Sequence, residues 1–102
     1  MTKNLPPMHP GEVLREEFLI PLGMSAGKLA KACGLPRTRI ERLVNEQTGI
    51  TADTALRLGR ALKTTADFWM NLQNRCDIRV AAREIGPELK KIKPVIEEDE
   101  AA

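Results

Sequence analysis

SAGKLAKACGLPRTRIERLVN, residues Ser25–Asn45, reads as two short helices joined by a tight turn. Ala30 is small enough to let a second helix cross close by. Gly34, four residues on, can take the left-handed conformation that ends a helix without a Cβ penalty. Ile40, branched and apolar, fills the angle between the two helices. Leu29, Cys33, Leu35 and Leu43 complete an inward face. Arg37, Thr38, Glu41, Arg42 and Asn45 stay outside on the second helix, a row of long or hydrogen-bonding side chains. This is the pattern of a helix-turn-helix with a polar outer face.

Outward from that stretch, the chain punctuates itself into five helices. Residues 1–9 have no helical period, contain Pro6 and Pro7, and read as an arm. A first helix starts near Pro10, with Glu12 suited to the helix dipole and Val13, Leu14 and Phe18 as its apolar stripe. Pro21 and Gly23 end it. His9, the only histidine, reads as a cap or a surface residue. The second helix, from about Ala26 to Cys33, is capped by Ser25 and contains Gly27, which costs up to about 1 kcal/mol relative to Ala. The third starts at Pro36 and runs to about Asn45, and residues 46–50 form a loop. Thr51 or Asp53 opens the fourth, whose apolar positions Ala55, Leu58 and Leu62 keep the helical spacing. The fifth runs from about Ala66 into the low eighties, with Phe68, Trp69, Leu72, Cys76 and Val80 as its inner stripe. Phe68 and Trp69 are expected inside, against helices 1 and 4. Gly86 and Pro87 stop it. Residues 10–86 therefore form one helical domain and 87–102 a tail. Within that tail, Leu89, Ile92, Val95 and Ile96 suit a short edge strand pairing with a second copy, or a flexible tail.

Composition narrows the function. At 102 residues the chain is one domain, with 42% apolar and 29% charged residues. Aromatics are 3% and Tyr is absent, which disfavours base stacking as a mode of nucleic-acid binding. Removing the four acids Glu97–Glu100 from the 14 leaves 10 against 16 bases, a net of +6 for the rest of the chain. A basic body with an acidic tail suits duplex binding modestly. Cys33 and Cys76 fall on apolar helical faces and read as small hydrophobes, with no spacing for a metal or a cofactor. No signal peptide and no span of 18 apolar residues appear, so a cytoplasmic protein is expected. One histidine, two core-like cysteines and scattered carboxylates do not assemble a catalytic set, so an enzyme is not expected.

The outer face of the second motif helix suits DNA. Arg pairs with guanine, Asn with adenine, and the Thr methyl touches thymine. Arg37, Arg42 and Asn45 lie at i, i+5 and i+8 with Thr38 and Glu41 between them. Arg39 sits to one side and is expected at phosphate, as are Lys28, Lys31 and the capping Ser25. A protein-interaction module remains an alternative and is compatible with DNA binding.

Three stretches carry a resemblance: HPGEVLREEFLIPLGMS, LAKACGLPRTRIERLVN and ITADTALRLGRALKTTADFWMNLQNRCDI. From Met8 to about Ala82 the chain resembles the HigA/VapI antitoxin branch of the Xre-type helix-turn-helix proteins. The resemblance implies an all-helical, lambda-repressor-like dimer that binds operator DNA and represses its own toxin–antitoxin operon. It also implies a HigB-like, RelE-type toxin partner that cleaves messenger RNA. The alternative is a solitary Xre-type regulator without a cognate toxin. The family's reading positions fall on Pro36, Arg37, Thr38, Glu41, Arg42 and Asn45. Two departures stand out. Ala26 occupies a place where many Xre proteins carry Gln, a usual phosphate contact. Glu46 occupies a place where many members of this branch carry Gly.

Overall fold

The computed structural model describes residues 8–96, and every regular element in it is helical. The arm residues 1–7 and the acidic tail from 97 onward lie outside the described residues. Helix α1 begins as Pro10–Val13, widens into a π-helical stretch over Leu14–Leu19, and closes over Ile20–Leu22. α2 spans Ala26–Cys33, α3 Arg37–Val44, α4 Ala52–Leu62, α5 Ala66–Glu84 and α6 Gly86–Lys91.

Local chemistry sets most boundaries. His9 caps α1: its Nδ1 accepts from the Gly11 N–H at 2.9 Å. The Ser25, Thr51 and Thr65 hydroxyls each accept a first-turn N–H of the helix they precede. Gly23 (φ 60) and Gly34 (φ 69) end α1 and α2 in the left-handed conformation. The π stretch in α1 precedes Pro21. Proline cannot donate to the ladder, and its ring crowds the carbonyl four residues earlier. The ladder there runs one residue wider, with the Ile20 N–H on the Arg15 carbonyl.

The core is one cluster. Leu14, Leu29, Ile40, Leu43, Leu58 and Trp69 are all fully buried, drawn from five helices. α2 and α3 form the crossed pair, with Ala30 (2% exposed) where they approach. α1 crosses the end of α3 so closely that a Cβ on Gly11 would lie 1.8 Å from the Leu43 carbonyl oxygen. Trp69 is completely buried, donates its Nε1–H to Thr64 Oγ1 at 2.7 Å, and meets the rings of Phe18 and Phe68.

Three expectations need correction. Phe68 is not fully inside: it is 38% exposed, at the rim of the core with its ring edge-on to Phe18 and Trp69. Val80, expected on the inner stripe, is also exposed. The 19-residue α5 is about 28 Å long at 1.5 Å per residue, and the 11-residue α4 beside it about 16 Å. Beyond Cys76 it outreaches α4, and no residue from 77 to 84 is buried. Residues 89–96 form no strand. Gly86 and Pro87 end α5 but also start α6, with Pro87 and Glu88 in its first turn and Lys90 and Lys91 in its last, as the dipole favours. Pro94 follows shortly after α6 ends, and residues 92–96 carry no regular structure.

Candidate nucleic-acid interface

α3 buries Ile40 and Leu43 and turns its other side outward. Pro36, Arg37, Thr38, Arg42 and Asn45 are exposed there, and Glu41 is half-buried. Pro36 precedes the helix without a side-chain acceptor, so the first-turn N–H groups of Arg37 and Thr38 are left uncapped at the positive end of the dipole. Arg37 and Glu41 bridge one turn at 3.2 Å, with side chains 71% and 44% exposed. A surface pair of this kind contributes little to stability and opens readily to another partner. The otherwise odd Gly27 lies under Arg37, where a Cβ would come 3.1 Å from the Arg37 Cδ.

Beside α3 opens a cleft of about 440 Å³, lined by Thr38, Arg39, Arg42, Thr48, Gly49 and Thr51. It joins the outer side of α3 to the loop and N-terminus that begin α4. Arg39 lies 4.0 Å from Asp53, and Asp53 also holds Arg57 at 3.1 Å. Ser25 uses its hydroxyl to accept from the Lys28 N–H at 3.1 Å, while the Lys28 and Lys31 side chains stand exposed on α2. Of the α3 candidates, Pro36, Thr38, Arg39 and Arg42 line this cleft, while Arg37 lies over Gly27 of α2, the helix that also carries Lys28 and Lys31.

Several supporting residues escape the sequence pattern. Arg57, on α4, donates to the Cys33 carbonyl at 2.8 Å and to that of Gly34 at 3.3 Å, closing the exposed carbonyl end of α2 within the turn of the motif. Gln73, on α5, accepts from the Ile50 N–H at 2.6 Å and so fixes the loop after α3. Arg15, on α1, donates to the Val44 carbonyl and to Glu46 Oε2 at 3.1 Å. The Glu16 and then the Glu46 carboxylate push Arg15 still further above its ordinary pKa, so it stays cationic. Thr48, Gly49 and Thr51 enter the cleft only through the fold of the loop. Each of these links spans 20 or more residues or depends on a loop path, so no local spacing announces it.

Both cysteines are buried and unpaired. Burial pushes the Cys33 thiol up, opposed by Arg57, and pushes Cys76 up with help from Asp77 and Glu46. Neutral, buried thiols are structural rather than nucleophilic. No described helix is long and apolar enough to cross a membrane.

A helix-turn-helix family model matches residues 14–69. Virulence-associated protein I of Dichelobacter nodosus is 50% identical over 81 residues, covering 79% of this chain and 75% of its own. The solved structure of Pseudomonas aeruginosa antitoxin HigA with the higBA promoter superposes with a TM-score of 0.84 at 42% identity, over 88% of this chain and 99% of that one. Antitoxin GraA in complex with its operator gives 0.85 at 40% identity, over 91% and 95%.

Proposed function

The chain belongs to the Xre-type helix-turn-helix family, among the HigA antitoxins, a family of DNA-binding proteins rather than enzymes, and from that premise we propose that it is an operator-binding antitoxin of the bacterial cytoplasm. In this reading it represses its own operon and neutralises a HigB-like, RelE-type toxin. The observation that carries it is the continuous outer face of α3, open at its N-terminus and bordered by the Arg39–Arg42 cleft. Two relatives with this fold, HigA and GraA, have been solved on their promoter or operator DNA. Pro36, Arg37, Thr38, Glu41, Arg42 and Asn45 face the bases in the major groove. Ser25, Lys28, Lys31 and Arg39 meet phosphate.

Readers and clamps have different signatures. Arg42→Ala and Asn45→Ala are each expected to cost about 1–3 kcal/mol per half-site and to relax preference at particular base pairs. Lys28→Ala and Lys31→Ala are expected to lower affinity for all sequences, reducing the slope of log K against log salt by about 0.9 per lost contact. All four side chains are exposed, so the variants keep the parent's unfolding midpoint. Titration against the operator and a scrambled duplex at several salt concentrations measures both. Unchanged operator affinity in Arg42→Ala and Asn45→Ala would remove α3 as the reader. Loss of toxin neutralisation in the same folded variants would make α3 the toxin face instead. Absence of a toxin-like reading frame beside the gene would favour the solitary regulator.

The second half of α5 and α6 leave Ile78, Val80, Ile85, Leu89 and Ile92 exposed. A single reading helix covers few base pairs, so useful specificity calls for two copies. The chain pairs as a two-fold homodimer joined mainly beyond Asp77, with its α3 helices about 34 Å apart. Sedimentation of a chain ending at Gly86 is expected to give a monomer. A dimer persisting at low micromolar concentration would show that the residues after Gly86 are not essential to the interface.

A further inference from the structure

α3 ends at Val44, Asn45 caps it, and the next residue, Glu46, has φ 61. A residue with a Cβ is costly in that conformation, by about 1–2 kcal/mol. The position also brings a carboxylate one residue past Asn45, at the end of the helix offered to a polyanion. Both problems meet the same side chain. Arg15 reaches across from α1, where its guanidinium donates to the Val44 carbonyl and to Glu46 Oε2 at 3.1 Å, with Glu16 Oε2 at 3.0 Å behind it. Glu46 is thereby held on the α1 side, where it borders a groove shared with Gln73 and Asp77 rather than the Arg39–Arg42 cleft.

We propose that Arg15 is a positioning residue for DNA recognition: by gripping Glu46, it keeps the Glu46 carboxylate off the phosphate path beside the end of the reading helix. The inference rests on the reading of α3 as the DNA-binding face. The pair is only partly shielded, with side chains 33% and 39% exposed, so its contribution to stability is small. Its effect on binding is not small in the same way. Freed from Arg15, the carboxylate would stand as an uncompensated negative charge beside Asn45, and such a charge repels a phosphate that comes within a Debye length, about 8 Å at physiological salt.

A double-mutant cycle separates this from a purely structural role. The intact protein, Arg15→Gln, Glu46→Gln and the double variant are titrated by anisotropy against a labelled operator duplex and a scrambled one, with unfolding midpoints measured alongside. Arg15→Gln is expected to weaken operator binding about tenfold in the parent, and less than about threefold in the Glu46→Gln background, a coupling in the range for contacting residues. Glu46→Gln alone is expected to bind within about threefold of the parent. If Arg15→Gln does not fold, Arg15→Met takes its place in the cycle with the same non-additivity expected. Equal losses in both backgrounds would overturn the proposal, because Arg15 would then act through the Val44 carbonyl or its own charge alone. A tenfold loss in Glu46→Gln alone would also overturn it, because the carboxylate would then contact DNA directly. If the parent itself shows no preference for operator over scrambled duplex, the DNA reading fails and carries the inference with it.

Discussion

Gly11→Ala is expected to destabilise the protein by at least about 3 kcal/mol, at or beyond the upper end of what overpacking normally costs. The added Cβ would lie 1.8 Å from the Leu43 carbonyl oxygen and 2.9 Å from its carbon. Both are backbone atoms of α3, so no side chain can swing away to make room. Either α1 lifts off α3 or the end of the motif helix shifts. The first loses burial of Val13 and Leu14, and the second disturbs Ile40 and Leu43. Urea unfolding followed by circular dichroism gives the number. A loss below about 1 kcal/mol would mean that the two helices do not approach this closely.

Trp69→Ala is expected to cost about 3–5 kcal/mol, the range for truncating a fully buried aromatic. Three losses combine at this site. The indole is completely buried, its Nε1–H satisfies Thr64, and its ring centroid lies 5.3 Å from that of Phe18 and 4.9 Å from that of Phe68. Phe68→Ala, one position earlier, removes a side chain that is 38% exposed and offers a direct contrast of smaller effect. The same denaturation measurement decides it. A cost below about 1 kcal/mol for Trp69→Ala would place the indole at the surface.

The contrast between these two sites shows where the sequence is legible. Helix limits can be read because the devices that set them are local. Ser25, Thr51 and Thr65 each act within three residues, and Gly34 ends α2 through its own backbone. The inward set of Ala30, Ile40 and Leu43 is readable for the same reason, since the crossed pair is built from 21 consecutive residues. Gly11 is not readable, because its constraint comes from a carbonyl 32 positions away. Phe68 and Val80 continue the helical period faithfully, but period says which residues share a face, not how far the neighbouring helix extends to cover it. At the candidate interface, the outer face of α3 follows directly from the pattern. The cleft beside it does not, since Thr48 and Gly49 have no periodicity and Arg39 reaches it from the flank of α3. Apolar content alone suits residues 89–96 to an edge strand. Pro87 and the charge order of Glu88, Lys90 and Lys91 carried the stronger signal, for a short helix.

The aromatic cluster has an optical consequence. Trp69 is the sole tryptophan and the chain has no tyrosine, so emission and near-ultraviolet dichroism come almost wholly from one chromophore at one address. That address is dry, rigidly bonded at the indole nitrogen and bounded by α1, α4 and α5, while α3 carries the polar face. The protein thus contains a built-in reporter of its core that stands apart from its candidate interface. Quenching or a red shift registers loosening of the helix packing, and a spectrum that stays constant while a labelled duplex is captured registers docking onto a framework that does not rearrange.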